Sequence, residues 1–139
     1  MEAIENTRTG ERITFVASDA DALVMISRWT RAGHRAAEHI HPGMEERFEV
    51  LSGSAAFLVD GQRCDAHEGD VVTVPAGVRH LAWNPGDAEV RLRIEMRPPL
   101  RWEEFTRRLF AGERPDQLLA EYSAEICLPI RPTRSQIED

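Results

Sequence analysis

The sequence is poor in several features, and each scarcity removes a class of protein. There are two cysteines in 139 residues. Cys64 and Cys127 stand far apart and outside any CxxC pair, so neither a disulfide framework nor a thiolate zinc knot is expected, and both read as ordinary buried or half-buried thiols. No stretch reaches the ~18 consecutive apolar residues of a membrane span. The first ten residues carry Glu2, Glu5 and Arg8 and no apolar run fit for a signal peptide, so the expected location is cytoplasmic, with no membrane partner. Basic charge is also short: 17 Lys and Arg against 24 Asp and Glu leave a net charge of −7. Such a surface repels polyphosphate, and nucleic acid is not an expected partner.

What is present suits one compact domain, with 42% hydrophobic and 29% charged side chains. Up to about residue 98, short alternating segments are separated by turn signals every ten residues or so, the rhythm of an antiparallel sandwich or barrel. Strands are expected at 13–17, 23–30, 46–51, 55–59, 62–65, 70–74, 79–84 and 89–97. The turns between them hold Gly53-Ser54, Asp60-Gly61, Glu68-Gly69-Asp70, Pro75-Ala76-Gly77 and Asn84-Pro85-Gly86. In the last strand Val90, Leu92, Ile94 and Met96 share one face, while Arg91, Arg93 and Glu95 share the other. After Pro98-Pro99 the period becomes helical: Trp102, Phe105, Leu109 and Phe110 form one face, Gly112 is a stop, and Pro115 opens a second helix with Leu118, Leu119 and Tyr122. These helices are expected to pack on the outside of the barrel or on a partner subunit. A DNA-binding helix-turn-helix is the competing reading, but its recognition helix, Pro115 to Glu121, carries no positive charge. The expected division is therefore 1–100 for the β-domain, 101–123 for a helical extension and 124–139 for a tail with no legible role.

Three of the five histidines fall in two turn-rich segments. His39 and His41, two apart on an extended chain, project from the same face. Glu46 enters the next strand in phase with the core residues Phe48 and Val50, which makes it an inward carboxylate. Glu45 is its rival, read as a solvated charge. His80 follows the Pro75-Ala76-Gly77 turn in phase with Ala82 and Asn84. A buried carboxylate among imidazoles disfavours folding by several kcal/mol unless something satisfies it. A divalent transition metal does so, and this mixed donor set suits Fe, Mn, Co, Ni, Cu or Zn over Ca or Mg. His34 and His67 read as hydrogen-bonded residues outside the site.

Two patterns stand in the chain: Gly33-x5-His39-x-His41-x4-Glu46-x6-Gly53, and Gly69-x5-Pro75-x-Gly77-x2-His80-x3-Asn84. Both motifs resemble those of a small single-domain cupin with every fixed position filled. The resemblance covers 33–84 by motif and roughly 12–98 by strand rhythm. It implies an all-β fold, an antiparallel double-stranded β-helix or jelly-roll barrel of six to eight strands, holding one metal through His39, His41, Glu46 and His80. The two helices lie outside that family pattern.

The fold implies a pocket and not a reaction. Its expected lining is Phe48, Val50, Val72, Ala82, Ile94 and Met96, with Arg91 and Arg93 turned outward and Trp83 covering the outer face. The phases of Arg28 and Trp29 stay open. Without a fixed cation such an interior suits a small, mostly apolar molecule with one or two chelating oxygens. Two functions follow: a metal-dependent enzyme of dioxygenase, isomerase, lyase or cyclase type, or a non-catalytic module that holds a metal or small ligand. No separate general base is identifiable. The aromatic helix face and open strand edges predict a homodimer.

Overall fold

The computed structural model describes residues 2–30 and 37–130 of the chain. Gly33 and His34 therefore lie outside the described residues, as do 131–139 of the expected tail. Nine strands and two helices follow one another: β1 Ala3–Glu5, β2 Glu11–Ser18, β3 Leu23–Trp29, β4 Glu45–Ser52, β5 Ser54–Val59, β6 Gln62–His67, β7 Val71–Val74, β8 His80–Trp83, β9 Val90–Arg97, α1 Trp102–Phe110 and α2 Pro115–Glu121. One sheet has the order β1-β2-β3-β9-β4-β7 and the other β6-β5-β8, with antiparallel pairing in both. This is the expected all-β cupin architecture with two terminal helices.

The alternation of β4 places Glu46, Phe48 and Val50 inside and leaves Glu45 exposed, which decides between the two carboxylates. In β3 the buried side chains are Leu23, Met25 and Ser27. Trp29 shares their face and lines the interior cavity, whereas the exposed Arg28 lies beside Arg91 on the outer surface. At the closed end Phe48 meets Phe57 edge-on, with ring centroids 5.0 Å apart, and the strands pack into one core. Gly53 holds the hairpin from β4 to β5 at φ +81°, where a Cβ would sit 2.6 Å from the Glu89 carbonyl oxygen. Only glycine fits such an approach.

Two expectations need correction. Cys64 is exposed, because β6 is an edge strand whose first four residues all face water. The aromatic face of α1 already has cover within the chain. Phe105 is buried against Trp102 and Tyr122, with centroids 5.0 and 5.5 Å away, and Trp102 also packs against the barrel core. The helices lie across the barrel mouth, so the aromatic face gives no ground for a partner subunit. The following segment is ordered by pairing: Ile40 and Cys127 exchange backbone hydrogen bonds of 2.9 Å.

Candidate metal centre

The two motifs meet through their backbones. His39 and His80 exchange backbone hydrogen bonds of 2.9 Å, and the Gly77 N–H donates to the His41 carbonyl at the same distance. The ligand-type atoms of His39, His41, Glu46 and His80 consequently gather within 4.8 Å of one another. His41 and His80 approach the same oxygen, Glu46 Oε1, through Nε2 at 3.1 and 3.0 Å.

Each ring is oriented from behind. Nδ1 of His39 lies 2.9 Å from the Ala37 carbonyl, that of His41 is 2.8 Å from the Glu125 carbonyl, and that of His80 is 3.0 Å from the Val78 carbonyl. A carbonyl only accepts, so each Nδ1 carries the proton and a neutral ring directs the Nε2 lone pair inward. Two such lone pairs facing one carboxylate oxygen repel it unless a cation lies between them or both rings become imidazolium. Three imidazole nitrogens and a carboxylate oxygen form a donor set that fits a divalent transition metal.

The electrostatics of the metal-free cluster describe the second alternative, in which Nε2 donates to Glu46. Burial and the neighbouring His41 and His80 rings hold His39 down to about 4. For Glu46, burial alone would raise the carboxyl, but hydrogen bonds from His41 and His80 keep it well below the usual carboxylate range. Burial also disfavours a charged His41, yet the Glu46 carboxylate outweighs this and raises it.

The cluster opens on a cavity of about 290 Å³. His39, Glu46 and His80 reach it, with Trp29, Phe48 and Ile94 from the barrel, and Trp102, Phe105 and Phe110 from the helix above. Among the described lining residues there is no arginine. Of the expected lining, Phe48, Ala82 and Ile94 are present, whereas Val50, Val72 and Met96 are not. Val50 and Met96 are packed into the core, Met96 opposite Glu46 and Val50 opposite Leu92 in the β4–β9 register. Asn84, the last position of the second motif, points elsewhere: its Nδ2 donates to the carbonyls of Trp29 and Ala88 at 3.1 and 2.8 Å and ties β3 to the turn after β8. Trp83 is outside the cavity, with the Arg63 guanidinium 5.3 Å above its ring. His67 meets Ser54 Oγ at 2.9 Å on the surface, as a hydrogen-bonded residue should.

A carboxylate of the cavity lining, Glu11, escaped the sequence reading. Glu11 opens β2, and its Oε2 accepts hydrogen bonds from Ser27 Oγ at 2.6 Å and Trp29 Nε1 at 3.1 Å. The signal was present, because Glu11, Ile13 and Phe15 alternate on one face once the strand is started two residues before Ile13.

Comparison with known proteins accords with this geometry. The cupin domain family matches residues 30–96. This chain carries a cupin domain. Over 68 residues the chain is 35% identical to Protein SchB of Streptomyces halstedii, covering 49% of either chain. A 68-residue match at 32% identity links it to Polyketide synthase CurC of Streptomyces cyaneus, covering 49% of this chain and 44% of that protein. The chain thus spans about half the length of the curated relatives it matches. An RmlC-like cupin from Shewanella frigidimarina superposes with a TM-score of 0.61 at 22% identity, over 68% of this chain and 82% of that one. That likeness shows the shared cupin fold. Among the described residues no helix is long and apolar enough to cross a membrane.

Proposed function

We propose that the chain is a metal-dependent enzyme acting on a small, mostly apolar, oxygen-bearing molecule, with His39, His41, Glu46 and His80 holding one divalent transition metal. The observation that supports this most is the convergence of inward imidazole lone pairs and Glu46 Oε1 at the inner end of an apolar, lidded cavity. A metal there would supply Lewis acidity toward a ligand oxygen, or O₂ activation if it is iron, manganese, nickel or copper. Trp29, Phe48 and Ile94 would hold the apolar body of the molecule, and the α1 side chains above it would keep bulk water out, strengthening the polar contacts inside.

A lining without arginine suits neutral ligands over phosphates or dicarboxylates. The name of one relative, a polyketide synthase, points to carbon skeletons bearing repeated carbonyl and enol oxygens. Isomerase-, lyase-, cyclase- or oxygenase-type conversion of such an enolisable compound is the reaction class we favour.

The test is to prepare the protein separately with iron, manganese, cobalt, nickel, copper and zinc, then measure metal content, O₂ uptake and product mass with a panel of enolic compounds. One metal per chain and conversion of at least one compound are expected, with turnover abolished in His80→Ala while circular dichroism stays native. Metal binding without conversion would favour a non-catalytic module. The homodimer now rests on its sheet edges alone, among them β7 with its exposed Val71. A monomeric mass by light scattering across micromolar concentrations would end it.

A further inference from the structure

We propose that Glu11 is a second ligand-binding group of the cavity, taking the hydroxyl of a neutral molecule whose other oxygen lies at the histidine–glutamate cluster. This rests on reading the cavity as the substrate site, and it specifies what the substrate must present there.

The carboxyl is aimed by its neighbours. Oε2 takes both the Ser27 hydroxyl and the Trp29 indole N–H, and those two donors are themselves 3.1 Å apart. The backbone N–H of Glu11 is in turn fixed to Thr9 Oγ1 at 3.0 Å. Oε1 takes no hydrogen bond from any described residue, and Glu11 lines the same cavity as His39, Glu46 and His80. An acceptor oxygen is therefore available on a residue that lines the ligand space together with Ile13 and Met25.

A purely structural role explains this poorly. A carboxylate among apolar walls is costly to desolvate, and no described arginine joins Glu11 in the cavity lining. Its charged neighbour there is Glu46, which opposes its ionisation. A neutral side chain would fill the same space without that penalty. A second polar atom points the same way: Thr106 Oγ1, on the helix that closes the cavity, is buried and without a hydrogen-bond partner among the described residues. Buried polar groups without partners are rare in folded proteins, and a ligand hydroxyl would satisfy one.

The chemistry of the ligand follows. An acceptor calls for a donor, so the group at Glu11 is a hydroxyl, phenol or enol. A lining without arginine calls for a neutral molecule, and Trp29, Phe48, Trp102, Phe105 and Phe110 call for a flat, conjugated body. A cavity of about 290 Å³ accommodates a two-ring skeleton of that kind.

The test compares a naphthalenediol, with hydroxyls at opposite ends, and its monomethyl ether, titrated calorimetrically into the full chain. A hydroxyl bound to a charged acceptor predicts that the wild type prefers the diol by about tenfold or more. In Glu11→Gln, whose amide oxygen still accepts from Ser27 and Trp29, that ratio should fall to about one. Ser27→Ala, which loosens the carboxyl, should give an intermediate ratio. Equal binding by the wild type, a preference that survives Glu11→Gln, or no binding of either probe would overturn the proposal. Turnover does not enter the ratio, so it stands or falls separately from the catalytic reading.

Discussion

His41 Nδ1 donates to the backbone carbonyl of Glu125 at 2.8 Å, joining residues 84 positions apart. A residue of the candidate metal site is thus oriented by the segment after α2. That segment is itself pinned, because the buried Glu125 carboxylate accepts from Arg101 Nη2 at 3.0 Å. Loss of a hydrogen bond behind a metal ligand typically costs ten- to a hundredfold in affinity. Arg101→Ala, which leaves the buried carboxylate without its counter-charge and with only the 3.4 Å backbone N–H of residue 101, loosens the segment and should weaken metal binding by about tenfold, at the low end because the carbonyl itself is retained. Competition against a chelator measures this, and Arg47→Ala, whose partner Glu49 is on the outer face of β4, should change nothing.

Among the described residues Glu46 is the one anion within the imidazole cluster, and His41 and His80 both lean on its Oε1. Glu46→Gln keeps the shape and removes the charge. An amide oxygen is a poorer donor to a transition metal, so metal content should fall by about tenfold or more, while apolar packing around Phe48 keeps the barrel folded. Elemental analysis with circular dichroism separates the two effects; full metal content in this variant would count against Glu46 as a ligand.

How much of this was legible in the sequence depends on distance along the chain. His39 and His41 are two apart, so strand alternation puts both on one face, and Glu46 was readable on its own from its phase with Phe48 and Val50 in the next strand. His80 was readable because the turn at Pro75-Ala76-Gly77 sets its phase. The role of Glu125 was not readable, since it acts through a backbone carbonyl that any residue supplies. The placement of α1 over the cavity was also hidden. A helix with Trp102, Phe105 and Phe110 on one face looks the same whether it covers its own barrel or a partner. Glu11 was lost for a smaller reason: the strand was begun at Ile13, two residues late.

The small cluster of Phe105, Leu118, Tyr122 and Ile126 holds the helices over the cavity. Phe105 is stacked on Trp102 and nearly sealed from solvent. Phe105→Ala removes its transfer free energy and leaves a void, which should destabilise the fold by about 3 kcal/mol. Chemical denaturation measures that loss. Hydrogen exchange should show faster opening across α1 and α2 with little change in the β-sheet core, because the barrel beneath has its own packed interior.

Glu11 should leave a pH signature in the stability of the metal-free protein. Burial raises its carboxyl above the ordinary 4.5; the hydrogen bonds from Ser27 and Trp29 pull it partly back, and the charge of Glu46 adds to the rise. The other titratable groups lining the cavity are Glu46, His39 and His80, while the cavity-facing residues of β3 and α1 are uncharged. The folded chain therefore holds the Glu11 proton more tightly than the unfolded chain does. In the window above 4.5 and up to the folded value, the folded state binds more protons, and this contribution to stability is lost as pH rises. Glu11→Gln removes that loss and keeps both hydrogen bonds. Thermal unfolding of chelator-treated protein should thus give the variant a higher midpoint than wild type at neutral pH, with the two curves converging below 4.5. A variant that is less stable at neutral pH would mean that the ionised carboxylate is held by partners stronger than Ser27 and Trp29.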